Sequence, residues 1–169
     1  KVFEFINIMI LGKIIGKTST NQFNFLIREE AKKFQYVQVL TRDGIYVLGQ
    51  IIDIEKEKQA IAKCIILGYR EKGILRTLRS PFEPESEVLE AEDSLIKEVL
   101  GLEKKNNAFI GTLDGKDNIN VHIDINKLLT RHVAILAKSG SGKSYAVSVI
   151  IEELIERNKS DYMDVINEK

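Results

Sequence analysis

Two hydrophobic rhythms divide the chain. From Phe3 to about Ile74, short apolar runs are separated by charged turns, with almost no helical spacing. The segments "YVQVL" and "IYVLGQIIDI" are β-rich and flank "TRDG", where Asp43 and Gly44 are residue types that tolerate positive φ. A further turn at residues 55–58, "EKEK", leads into "AIAKCIILGY". Short strands this closely spaced predict a small β-barrel. The apolar N-terminal stretch "FINIMILGKIIG" is then a core strand rather than a signal sequence. It lacks a basic leader and a small-residue cleavage site, and Lys13 and Lys17 interrupt it. Both prolines, Pro81 and Pro84, fall in "RSPFEPES". Neither a central strand nor a helix continues through such a pair, which predicts an extended connector. Within it, "EDSLIKEVLGL" predicts a short helix over about 93–100, with Asp93 as N-cap and Gly101 just past the C-terminus.

The second rhythm begins near residue 107. "NINVHIDI" alternates without a miss: Ile119, Val121, Ile123 and Ile125 face one way, and Asn118, Asn120, His122 and Asp124 the other. That is a half-buried strand. Residues 111–115, "GTLDG", predict a turn or hairpin ahead of it. "HVAIL" is a continuous apolar run, the pattern of a parallel strand covered on both faces. Val147, Ile150, Ile151 and Leu154 then recur at helical spacing. The expected organisation is a barrel at 1–80, a connector at 81–107 and the start of an α/β domain at 108–169.

Between the predicted strand and helix lies the chemistry. "AKSGSGKS" fits the pattern G-x-x-x-x-G-K-[ST], with alanine in the first position. It comprises Ala137, Lys138, Ser139, Gly140, Ser141, Gly142, Lys143 and Ser144. A loop that wraps phosphates must turn its N–H groups inward, and Gly140 and Gly142 permit this because they lack a Cβ. Lys143 is placed to reach the β- and γ-phosphates and Ser144 to offer a hydroxyl to Mg²⁺. The helix that follows directs its N-terminal dipole at the same anion. The strand-before, helix-after setting separates this pattern from an accidental glycine-rich linker.

Composition alters little. The 169 residues carry 25 basic and 25 acidic side chains, so net charge argues neither for nor against a nucleic-acid partner. The single cysteine, Cys64, excludes an internal disulfide and a cysteine-based zinc site. Its place in "IAKCIIL" reads as core, and a lone thiol suits a reducing cytoplasm. No apolar stretch reaches the roughly 18 residues needed to span a membrane. His122 and His132 have no ligand partners at metal-binding spacing and read as ordinary strand and strand-entry residues. Arg70, Lys72, Arg76 and Arg79 form a basic group, followed by an acidic stretch over 83–93. Both suit a solvated surface, but the basic group could also meet DNA phosphates or an acidic neighbouring subunit.

The order of these segments resembles the HerA family of archaeal DNA translocases, from about Ile10 to Arg157. The likeness is carried by "ILGKIIGKTSTNQFNFLI", "YVQVLTRDGIYVLGQIIDIE", "RSPFEPESEV", "LIKEVLGL" and "INVHIDINKLLTRHVAILAKSGSGKSYAVSVIIEELIER". The resemblance implies an N-terminal barrel of the ATP-synthase type and a RecA-like ATPase core. It further implies a hexameric ring that uses ATP and Mg²⁺ to pump double-stranded DNA, working with a NurA-like nuclease in end resection. The loop residues named above take the nucleotide role, with Ser144 on the metal side. Family members continue past the loop helix into a strand ending Asp-Pro-x-Gly-Glu and a later acidic strand end. Here "NKSDYMDVINEK" follows, so an N-terminal fragment unable to hydrolyse ATP alone is expected. Two rival expectations are a non-catalytic barrel module with a vestigial loop, and a barrel-bearing ATPase with no DNA role.

Overall fold

A computed structural model describes residues 9–102, 108–124, 127–128, 130 and 134–167, the last with side chains through 156. It divides into two compact units meeting at Gly101 and Leu102.

The first unit is built on seven strands: β1 Ile10–Ile15, β2 Gln22–Ile27, β3 Tyr36–Leu40, β4 Tyr46–Lys56, β5 Ala60–Glu71, β6 Ile74–Arg76 and β7 Glu87–Glu90. Six of them run β2-β1-β7-β3-β4-β5 with every pair antiparallel, and β5 returns to pair with β2 through Gln22↔Ile65 to Leu26↔Ile61. The sheet is therefore a closed six-stranded barrel, as the short-strand pattern predicts, and closure leaves none of the six with a free edge. β6 lies outside the ring as a hairpin extension of β5.

Alternation along each strand fills the interior. Phe23 and Phe25, Val37 and Val39, and Ala62 and Cys64 point inward in pairs two apart. They meet Leu11, Ile14, Val47, Ile51 and Val88 in one cluster. The β3–β4 turn is made as the sequence suggests but by Gly44 alone, at φ 77°; Asp43 keeps an ordinary φ.

The segment expected to be a connector is structural. Phe82, between the two prolines, enters the barrel cluster and meets Phe23 edge-on at 5.4 Å. Thr18 Oγ1 donates to its carbonyl at 3.0 Å. A few residues later, β7 slots between β1 and β3. The barrel therefore runs to Glu90 rather than residue 80. Four residues, "EVLE", are too short to show alternation, and the prolines beside them obscured the strand.

β1 holds a tight approach. Its register with β7 shifts between Ile10 and Gly12. A Cβ on Gly12 would lie 1.9 Å from the carbonyl oxygen of Leu26 on β2.

Helix α1, Asp93–Leu100, packs outside the barrel against β4 and β5, with Ile96 and Val99 buried. Glu92, not Asp93, is its N-cap and makes no side-chain capping bond. The carboxylate of Glu92 instead accepts from Ser94 Oγ at 3.3 Å. Its backbone N–H donates to Oε1 of Gln38, a buried β3 amide, at 3.1 Å, and this ties the helix start to the barrel. Gly101 ends the helix at φ 70°, its N–H shared between the carbonyls of Lys97 and Glu98.

Burial of Cys64 confirms its place in the core and pushes its thiol pKa up to about 12 by desolvation. The unfolded chain ionises this thiol at lower pH than the folded one. Stability from this source is intact below the unfolded value and falls as pH rises toward about 12. At neutral pH, Cys64 should react with an alkylating reagent only as fast as the barrel unfolds. Prompt stoichiometric labelling of the native protein would contradict that.

The second unit comprises strands β8 Ala108–Leu113 and β9 Lys116–Ile123, and helix α2 Lys143–Asn167. The strands form a hairpin turned by Asp114 and Gly115, with Gly115 at φ 75°. Ile119 is fully buried and Asn118 and Asn120 are exposed, which follows the predicted alternation, but Val121, His122, Ile123 and Asp124 are all half-buried and do not. His122 lies edge-on to Phe109, its cross-strand partner, with centroids 5.7 Å apart. Helix α2 packs on β8, and Glu153 Oε2 accepts from the Phe109 N–H at 3.3 Å.

Two expectations are corrected here. His132, Val133 and Ile125 lie outside the described residues, but Ala134, Ile135 and Leu136 form no strand, and Leu136 is 90% exposed. A parallel strand takes its hydrogen bonds from neighbours. Among the described residues of this unit, the two strands satisfy each other. Along α2, Ile150 and Leu154 are half-buried but Val147 and Ile151 stay exposed. One hairpin covers only part of the predicted apolar face.

Candidate functional site

The loop expected to hold phosphates lies between Leu136 and the first turn of α2. Its backbone explains both the glycines it has and the one it lacks. Gly140 and Gly142 adopt φ 79° and 86°, the left-handed region where a side chain is strained. Nothing lies within 4 Å of a Cβ added at either, so conformation rather than crowding demands glycine. Ala137 stands where the pattern has its first glycine and keeps an ordinary φ. A methyl group there meets no backbone penalty, and the departure from the pattern does not alter the loop.

Internal hydrogen bonds shape the remainder. Ser141 donates to the carbonyl of Lys138 through its N–H at 3.3 Å and its Oγ at 2.6 Å, closing a turn around Ser139 and Gly140. Lys143 reaches back over this turn. Its Nζ donates to the carbonyls of Ala137 and Lys138, both at 2.9 Å. The ammonium therefore sits above the start of the loop rather than extending into solvent.

Helix α2 makes its first intrahelical bond from Ala146 N–H to the carbonyl of Gly142, at 2.9 Å. The N–H groups of Lys143, Ser144 and Tyr145 precede that bond and need an outside acceptor. Ser144 is exposed, and its carbonyl accepts from Ser148 Oγ at 3.1 Å. Three N–H groups without an intrahelical acceptor, the helix dipole and the Lys143 ammonium all belong to the loop and the first turn of α2. This arrangement suits a polyanion.

A metal has fewer protein donors. Among the described residues, no group of three or more His, Cys, Asp or Glu could hold one. A hydroxyl at Ser144 supplies one ligand, so an ion here must be held mainly through a bound phosphate chain.

The basic group on β5 and β6 is only partly available to partners. Arg70 Nη1 donates to the Gly73 carbonyl at 2.7 Å, and its Nη2 lies 2.8 Å from where a Cβ on Gly101 would be. Arg76 pairs with Glu71 at 3.4 Å. From the acidic stretch, Glu83 pairs with Arg42. A groove of about 700 Å³ between the β3–β4 turn and the proline loop, bordered by Leu40, Ile45, Leu78 and Phe82, was not visible in the sequence. Its walls come from residues some forty positions apart, which no local pattern connects. Tyr145, 77% exposed directly after Ser144, also went unnoticed, because the motif ends one residue before it. Among the described residues, no helix is long and apolar enough to cross a membrane.

A barrel followed by a glycine-rich loop at a helix start defines a protein class, and comparison with known proteins makes it specific. Residues 108–166 match the family model described as the central domain of the helicase HerA. A probable DNA double-strand break repair helicase HerA from Methanocaldococcus jannaschii is 33% identical over 89% of this chain and 30% of its own length. The DNA double-strand break repair helicase HerA of Pyrococcus furiosus is 30% identical over 86% of this chain and 31% of its own. That of Saccharolobus solfataricus is 28% identical over 88% and 33%. The chain belongs to the HerA family. It spans about a third of the length of these relatives.

Proposed function

We propose that this chain contributes the barrel and nucleotide loop of an ATP-driven double-stranded DNA translocase. The observation that carries the reading is the Lys143 side chain folded back over a loop whose two glycines hold left-handed φ. This loop lies within the matched HerA domain.

In this reading ATP is held by Ala137, Lys138, Ser139, Gly140, Ser141, Gly142, Lys143 and Ser144. The N–H groups of the loop and of the first turn of α2 bind the phosphate chain. Lys143 exchanges its two carbonyl partners for phosphate oxygens, and Ser144 helps to seat Mg²⁺. The metal, when bound, neutralises phosphate charge as it develops. The domain around the loop is the start of a RecA-like core, and Ala134, Ile135 and Leu136 become a strand when the rest of its sheet covers them. In this reading the residues that orient the attacking water come from outside residues 1–169. The chain alone should therefore not turn over ATP. The complete polypeptide works as a hexameric ring on double-stranded DNA, supplying ends to a NurA-like nuclease.

The test is ATP hydrolysis by a polypeptide spanning the relatives' full length, with and without linear duplex DNA. Duplex DNA should raise the rate at least several-fold, and residues 1–169 alone should give none above background. A full-length protein indifferent to DNA would overturn the translocase reading. If no nucleotide binds at all, the barrel acts as a non-catalytic assembly module.

A further inference from the structure

We propose that Tyr145 is the residue through which this loop senses the nucleoside, so that the site prefers a nucleoside triphosphate to a bare triphosphate chain. This deepens the phosphate-loop reading and rests on it.

The loop itself has nothing to offer a base or a sugar. Apart from its two lysines, its side chains are those of alanine, serine and glycine, too small and polar to cover an aromatic ring. Lys143 is committed to the phosphate side by its position over the loop carbonyls. Tyr145 is the aromatic ring next to this loop, and it is 77% exposed. Side chains on a helix lean toward its N-terminus, the end at which the loop lies.

Packing within α2 does not explain the ring. At about 100° per residue, Tyr145 falls on the side of the helix opposite Val147, Ile151 and Leu154. It also lies roughly 110° from the centre of the half-buried positions Val149, Ile150, Glu153 and Leu154. A tyrosine in water on the polar side of a helix, one residue past the phosphate ligands, is placed for a ligand that extends beyond its phosphates. Its face can stack on a base, and its hydroxyl can exchange hydrogen bonds with a sugar.

The experiment measures equilibrium binding of ATP and of tripolyphosphate to the full-length protein, comparing Tyr145→Ala, Tyr145→Phe and Lys143→Ala with the parent. Because Tyr145 is exposed, its two substitutions should leave the unfolding midpoint unchanged. Stacking on one base is worth on the order of 5- to 100-fold in affinity. Tyr145→Ala should therefore weaken ATP by about 10-fold while tripolyphosphate stays within about two-fold. Tyr145→Phe, which keeps the ring, should bind ATP nearly as the parent does. Equal weakening of both ligands by Tyr145→Ala, no effect on ATP, or a loss in Tyr145→Phe as large as in Tyr145→Ala would each overturn the proposal. If Lys143→Ala leaves both ligands unaffected, the phosphate-loop reading itself fails, a result distinct from any failure of Tyr145.

Discussion

Alanine in place of Lys143 should weaken nucleotide binding by more than about 100-fold and abolish DNA-stimulated hydrolysis. In the phosphate-loop reading the ammonium is the cation offered to the phosphates, and it also ties the first two loop residues to the helix. Removing it deletes charge-assisted bonds to the phosphates and lets the start of the loop drift. Arginine should not rescue it, because a planar guanidinium does not present the compact point charge of an ammonium. Titration with a fluorescent nucleotide reads the effect directly. Retention of parental affinity would show that the loop is a connector and not a phosphate site.

The largest expected loss of stability comes from Gly12→Ala. The added methyl would stand 1.9 Å from the Leu26 carbonyl oxygen, well inside any tolerable contact. Both atoms belong to paired backbone, with Gly12 opposite Ile27, so neither side can swing away as a long side chain would. The β1–β2 pairing must separate at this point, at a cost of about 3 kcal/mol or more. Gly73→Ala is the natural control. There a Cβ meets nothing within 4 Å, and only its φ of 78° resists the change, which should cost about 1–2 kcal/mol. Urea denaturation of the two variants should separate them clearly. Equal midpoints would mean that the barrel relaxes at Gly12 more readily than its ladder implies.

Strands β3 and β4 were legible because each is a β-rich run and a glycine turn joins them. Helix α1 was legible because its apolar residues recur at helical spacing before a glycine. The ring closure was not. Pairing of β2 with β5 joins residues about forty positions apart, and no local pattern encodes which strands meet. β7 was hidden by its length and by the prolines before it. In the second unit, the described part of "HVAIL", Ala134 to Leu136, forms no strand here, because a run that needs neighbours does not itself supply them. The loop stood out as a motif, since its glycines answer a backbone demand that recurs wherever phosphates are wrapped. What escaped notice was the hold of Lys143 on two carbonyls, the reason alanine is harmless at residue 137, and the ring of Tyr145. Each of these depends on where atoms stand rather than on which residues follow one another.

The position of β7 bears on how the polypeptide emerges from the ribosome. Its neighbours in the ring, β1 and β3, are complete by Leu40. The strand that joins them is synthesised only at Glu87–Glu90. Until then a nascent chain carries two unpaired β edges of matching direction, a surface that recruits other strands. Contacts this distant in sequence form slowly. The vulnerable interval therefore lasts for nearly fifty residues of translation, and a chaperone that shields those edges, or a pause that delays residue 87, would act on yield rather than on the stability of the finished barrel.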